Sequence, residues 1–344
     1  MNVLNTVLPL CSSVVSLVFA AMVFDQWRQR PKPFQLVWTF GLLFYGVSAG
    51  TEFVGSAFGW SAPLYRAWYL IGAFYVAAYL GMGTIYLLSK TAFGYFAGVT
   101  VLLGGVLSLL FGKLYQGSGT VAGIAFAVAA VGAVAIIAAT AVRRPWAAHL
   151  TLAVLVIGSV AVAGLVLTAP LAGAGYALDA HTGVPVGSAF PGYARVLTAP
   201  FNIAGALCLV FGAGFSAYVY MPKNKILAAG KVTVPVLAQL WYFAVAVVNF
   251  FASLPGAVVA LFARRLNSRV PATLLIALGG FIPGVTSGLN RFGITWSFFL
   301  GELLGVLLIF TGFLVSEEVF ANLRLPALGI VWRRGEKAEA RAHG

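Results

Sequence analysis

From residue 3 to residue 316 the chain is a succession of apolar runs joined by short links that carry most of its charge. An α-helix rises about 1.5 Å per residue, so roughly 20 apolar residues cross the hydrocarbon core of a bilayer. Runs near that length fall at 3–24, 34–58, 67–88, 92–112, 120–142, 147–169, 198–220, 270–289 and 293–316. Only 8% of the residues are charged, against about 25% in a soluble domain. No water-soluble surface can be assembled from such a chain. Strict alternation over short segments, which would mark an outer-membrane barrel, is absent. The expected fold is an all-α polytopic transmembrane bundle. Residues 1–320 form one membrane domain and residues 321–344 a basic cytoplasmic tail.

The stretch 226–263, "ILAAGKVTVPVLAQLWYFAVAVVNFFASLPGAVVALFA", is too long for one ordinary span and short for two. Charge sets its parity. The first run has no basic residue before it and "DQWRQR" after it. That argues against a cleaved signal peptide and for a helix that starts outside. With an even number of crossings in 226–263, all but Arg66, Lys113, Arg195 and Arg291 of the 21 basic residues fall inside, and the C-terminus is cytoplasmic. A single crossing would carry Arg264, Arg265, Arg269 and the basic tail outside. The positive-inside rule therefore asks for two crossings or none. A tight hairpin gives eleven spans and is the expected arrangement. A re-entrant or interfacial segment broken at Pro255-Gly256 gives nine and is the alternative.

The same reading removes nucleic acid as a partner despite the formal charge of +13, because the basic residues sit between apolar runs and not on a soluble face. A weak internal pattern accompanies it. Inner basic clusters "DQWRQRPKPF", "AVRRPWAAH" and "FARRLNSRVPA" each precede a helix and an outer arginine, which suggests a threefold repeat of a three-helix unit.

Four stretches, "LYRAWYLIGAFYVAAYLGMGTIYLL", "APFNIAGALCLVFGAGFSAYVY", "ATLLIALGGFIPGVTSGLN" and "FFLGELLGVLLIFTGFLVSEE", resemble a broad group of bacterial seven-helix membrane proteins of unknown function. With the first two helices the resemblance covers about two thirds of the chain, and it lies in texture and glycine placement. It implies a seven-helix core in a bacterial cytoplasmic membrane, and it carries no activity. The chain departs from the group at about 90–143 and 222–266, where inserted hairpins on the inner side would account for the difference.

Within the apolar runs, few residues carry chemistry. His149, His181 and His343 share no helix face, and Cys11 and Cys208 lie in apolar surroundings, so no metal, haem or other cofactor is expected. "GMG" and "GAG" lie inside apolar helices, not between strand and helix, and are not phosphate loops. Glycine pairs four apart, such as Gly94/Gly98, Gly280/Gly284 and Gly301/Gly305, let helices approach closely. "GGFIPG" makes Gly280, Pro283 and Gly284 the hinge candidates, because proline removes a helix bond beside residues that tolerate a bend.

The acids are the sharpest signal. A carboxylate near the bilayer centre costs roughly 2.5–3.5 kcal/mol on insertion scales, and Glu52 and Glu302 both sit in apolar helices. Eleven residues, about three helical turns, would put Glu302 some 16 Å below Arg291 on one face. Asn202 lies two turns below Arg195. Together Arg66, Arg195, Arg291, Glu52, Asn202 and Glu302 would line an outward-facing polar cavity. The alternative is that the arginines are snorkelling helix caps and Glu302 a protonated packing residue.

The expected function is a small-solute transporter or solute-binding membrane protein for an anion or zwitterion, with Glu302 as a coupling acid. The second reading is a non-catalytic scaffold, sensor or accessory subunit, with another membrane protein or a second copy as partner. An enzyme is not expected, for want of placed bases, nucleophiles and metal ligands. In every reading the lipid bilayer is the surrounding partner.

Overall fold

The computed structural model describes residues 3–228, 230, 233, 235–263, 265–315, 322–325 and 330–333. Long helices follow one another in the order α1 (Val3–Gln29), α2 (Pro33–Phe58), then a continuous rod of α3 (Ala62–Leu70), a π-helical segment (Ile71–Val76) and α4 (Ala77–Leu87). α5 (Phe93–Leu114), α6 (Gly119–Val142) and α7 (Arg144–Thr168) come next. The short α8 (Gly192–Val196) leads into α9 (Thr198–Tyr220), and α10 (Pro235–Phe262), α11 (Arg269–Arg291) and α12 (Phe298–Val315) complete the bundle. A short antiparallel hairpin, β1 (Asn322–Leu325) with β2 (Ile330–Arg333), pairs Asn322 with Arg333 and Leu325 with Ile330 in the tail.

Among the described residues, nine helices are long and apolar enough to cross a membrane. α2, at 26 residues, is equally long but is not one of the nine. It is diluted by Gln35, Thr39, Ser48, Thr51, Glu52 and Ser56 and is wrapped by α1 and the α3–α4 rod. Of its polar side chains, Glu52 accepts from the Trp68 indole, and Thr39 and Thr51 donate back to carbonyls of α2 itself. Prolines open α2, α3 and α7 in the first turn, where a missing N–H leaves no bond unmade. α2 stops at Gly59, whose φ of 99° suits glycine.

α9 packs against α4, α5 and α11, α1 lies along α2, and α11 lies along α12. The closest approaches are made by glycine. A Cβ on Gly81 would stand 2.3 Å from the carbonyl oxygen of Gly205, and one on Gly205 would stand 2.4 Å from that of Ala77. Rods α4 and α9 are thus in backbone contact, the packing that small residues permit in lipid. One apolar cluster, including Phe19, Trp38, Leu42, Leu80, Leu209 and Phe313, joins α1, α2, α4, α9 and α12.

The bundle has two distinct ends. At one, here called the loop end, Asn5 of α1 donates to the Thr182 carbonyl, the Thr182 and Thr295 hydroxyls meet at 2.6 Å, and Val184 packs on Leu8, Phe298 and Phe299. The loop from α7 to α8 is held by specific contacts. Asp179 N donates to Val184 O, Val186 N donates to Ala177 O, and Phe190 stacks on Tyr65 and Tyr69. Asp179 organises its turn by accepting from the N–H groups of His181 and Thr182 and from the Thr182 hydroxyl.

One expectation is corrected outright. The hairpin placed in 226–263 does not form. Residues 235–262 are one 28-residue helix that runs through Pro255 without a turn. Its polar residues Asn249 and Ser253 are occupied by the segment before it. Asn249 accepts from the N–H groups of Ile226 and Leu227 and donates to Leu227 O, and Ser253 accepts from the N–H of Asn224. Side-chain ties that hold a partner strand along a helix leave no place for a break.

Candidate functional site

Toward the loop end, α2, the α3–α4 rod, α9, α11 and α12 enclose a cavity of about 390 Å³. Its far wall reaches the loop residues Asp179, Gly187 and Ser188. The α2 contribution is one helical face, Tyr45, Ser48 and Glu52, spaced three and four residues apart. α11 contributes a second stripe, Gly280, Pro283, Gly284, Ser287 and Asn290, at the same spacing. The π-helical segment supplies Gly72, Ala73 and Val76. π-bulges of this sort recur at functional sites, because the extra residue per turn re-aims the side chains of a wall.

The two membrane acids meet here. Glu52 is fully buried, and its carboxyl and that of Glu302 are close neighbours in the wall of the cavity. The indole Nε1–H of Trp68 donates to Glu52 Oε1 at 2.7 Å. Tyr45 Oη donates to the backbone carbonyl of Glu302 at 2.6 Å, which fixes the first turn of α12 against α2. Oε2 of Glu52 and Oε2 of Glu302 find no donor among the described residues, and neither does Oδ1 of Asn290. Two carboxyls sharing a site repel one another when both are ionised, which favours the pair holding one proton. The arrangement can hold a proton, accept donors from a ligand, or exchange one for the other.

The expected site residues divide. Glu302, Glu52, Arg195 and Asn202 all line the cavity, as do the hinge candidates Gly280, Pro283 and Gly284. Pro283 lies within a helix that is continuous from Arg269 to Arg291, and its ring is seated on α12, where a Cβ at Gly305 would come within 2.2 Å of it. Arg66 is not in the wall. Its guanidinium donates to the carbonyl of Val166 at 2.7 Å in the last turn of α7, a cation at a helix C-terminus. The Arg291 side chain lies outside the described residues. Of the two arginines whose side chains are described, Arg195 lines the cavity and Arg66 does not. Arg195 sits over the Tyr115 ring at 4.0 Å, so its charge is partly taken up by an aromatic face.

The depth of Glu302 is also corrected. The 16 Å separation from Arg291 assumed one helix through both residues. α11 ends at Arg291 and α12 begins at Phe298, so Glu302 stands one turn, about 6 Å, into its helix. That places it level with Glu52, which is a similar distance from the end of α2. Trp68, Tyr45, Ser48, Ser287 and Tyr115 were not singled out by sequence. The 45–48–52 spacing on α2 was the available sign.

Outside the membrane-spanning segments, Asp179 is held below the usual carboxylate range by the N–H and then the hydroxyl of Thr182. It is charged at the cavity mouth at neutral pH. Far from this site, His149 meets the Tyr86 hydroxyl at 2.9 Å. Comparison with known protein families, with curated proteins and with solved structures gives no match.

Proposed function

We propose that the chain is a multi-pass membrane protein that takes a small solute into this cavity from the loop end and couples its binding to the Glu52–Glu302 pair, as a small-solute transporter. The observation that carries the reading is the pair itself. Two carboxyls are close neighbours in the wall of a solute-sized cavity. Each costs roughly 2.5–3.5 kcal/mol to insert, and membrane acids that face a cavity mark ion and substrate paths. The cavity falls within the range of small-molecule sites, about 300–1,000 Å³.

In this reading the chain crosses the membrane nine times, with α2 among the crossings and α10 lying along the cytoplasmic face. Two contacts support that. Phe243 packs with Phe96, three residues into α5, and with Phe211. Ala257, Phe250 and Leu254 pack with Ala217 and Met221 at the end of α9 and Val270 at the start of α11. These partners belong to the end opposite the loops, yet the stretch from 243 to 257 is about 21 Å long. A crossing helix would carry one of its ends to the loop end. Nine crossings leave the loop end outside and the basic links inside a bacterial cytoplasmic membrane. Removing α5, α6 and α10 leaves seven crossing helices, in keeping with the seven-helix resemblance.

A thermal-shift screen of the purified protein against amines, zwitterions and anions at two pH values tests the reading. A solute that raises the melting temperature differently at the two pH values, with the difference lost in Glu302→Gln, is the expected result. If no class of solute moves a cooperative wild-type transition, the cavity is not a solute site. Co-purification with another membrane protein would then favour the accessory-subunit reading.

A further inference from the structure

We propose that the solute is a protonated organic amine, and that it binds the Glu52–Glu302 pair in exchange for the proton that the pair shares. The proposal rests on the solute-binding reading above and names its chemistry.

The cavity asks for donors and offers few. Glu52 Oε2, Glu302 Oε2 and Asn290 Oδ1 are acceptors without a donor among the described residues. An ammonium group brings up to three N–H donors and a positive charge. Among the described residues, an anion would face two carboxyls with only Arg195, stacked on Tyr115, to receive it. The rest of the wall suits an apolar body beside the ammonium. Trp68 and Tyr69 bring aromatic rings to the wall, and Leu80, Leu209 and Ile309 line it as well.

The exchange balances. A pair with one shared proton carries a single negative charge. When the ammonium enters and the proton leaves to water, both carboxylates are charged and the ammonium cancels one of them. The net charge of the site is unchanged, and no covalent bond other than O–H is broken. The titratable and charged groups around the pair are Tyr45 on α2, Tyr69 on α3, Tyr115 after α5, Asp179 in the loop and Arg195 on α8. Among the described residues, those that α4, α9 and α11 contribute to the wall carry no charge. Asp179 and Arg195 stand toward the mouth, so the exchangeable proton is assigned to the pair.

The test uses the full-length protein in detergent and three probes: 2-phenylethylammonium, phenylacetate and tetraethylammonium. Calorimetric titration in buffers of different ionisation enthalpy counts protons. The expected result is that 2-phenylethylammonium binds with release of up to one proton, and that its affinity rises with pH by up to tenfold per unit. Tetraethylammonium, which has no N–H, should bind at least tenfold more weakly. Glu302→Gln and Glu52→Gln should each abolish the proton release and weaken the amine at least tenfold. If either variant fails to fold, the wild-type pH series decides alone. Phenylacetate binding more tightly than the amine would overturn the proposal while leaving a solute site in place. Amine affinity that is flat with pH would overturn the exchange. No binding of any probe to folded wild-type protein would overturn the proposal altogether.

Discussion

The Tyr45 hydroxyl donates to the backbone carbonyl of Glu302 at 2.6 Å, across 257 residues of sequence. This bond links α2 to the first turn of α12 and sets the two membrane acids side by side. Tyr45→Phe should remove it and destabilise the fold by about 1 kcal/mol. The same variant should weaken any pH dependence of ligand binding, because Glu302 loses the tie that positions it. Melting temperature and ligand titration of the variant check both parts.

Trp68→Phe takes the indole donor from a fully buried carboxyl. Leaving a buried acceptor unmet costs about 1–3 kcal/mol. The ring volume is largely kept, so the loss should be seen in stability without a change in oligomeric behaviour. Thermal unfolding of Trp68→Phe beside wild type measures it.

Two glycines should respond in opposite ways to alanine. Gly205→Ala drives a Cβ into the Ala77 carbonyl, 2.4 Å away in a backbone-to-backbone contact, and should cost about 1–3 kcal/mol or more by forcing α4 and α9 apart. Gly284 has nothing within 4 Å of its Cβ position and lines the cavity. Gly284→Ala should leave the melting temperature unchanged while narrowing the site. Equal effects at the two positions would contradict the assignment of one glycine to packing and the other to the cavity.

These contrasts mark what could be read from the sequence. The apolar runs and the two isolated acids were legible, because bilayer thickness and charge cost act on each segment by itself. The pairing of Glu52 with Glu302 was not, since it depends on where α12 starts. The chain turns at Gly293 with a φ of 83° and α12 begins only at Phe298, whereas the apolar run already begins at 293. Arg66 was misplaced for a related reason. Sequence gave its depth, but only the end of α7 supplied the carbonyl that it caps. The single helix α10 was missed because hydropathy gives the length of an apolar stretch and not whether it turns at Pro255.

Position relative to the membrane can be tested directly at α10. In a Cys11→Ser background, Gly230→Cys and Arg265→Cys flank the helix. Both should be shielded from a membrane-impermeant thiol reagent applied to intact cells, while Gly173→Cys in the outer loop reacts. Labelling at one flank alone would mean that α10 crosses.

The loop that roofs the cavity should depend on pH through Asp179. Its pKa in the folded protein is depressed by the Thr182 N–H and hydroxyl. The stabilisation it gives is therefore present above the unfolded carboxylate value, near 3.9, and is lost as pH falls through the lower folded value. Limited proteolysis of residues 170–191 should be slow and constant near neutral pH and accelerate under strong acid. Asp179→Asn should be cleaved faster near neutral pH and show less acid dependence.

The most direct test of the central claim needs no knowledge of the solute. Ser287 faces the cavity on α11, while Leu278 on the same helix is exposed at the bundle's outer surface. With Cys11 replaced by serine, Ser287→Cys should react with a small charged thiol reagent added outside cells, and Leu278→Cys should not. A cysteine at 287 that stays unmodified while Gly173→Cys reacts would mean that water does not reach the acids from that side, and the account would fail.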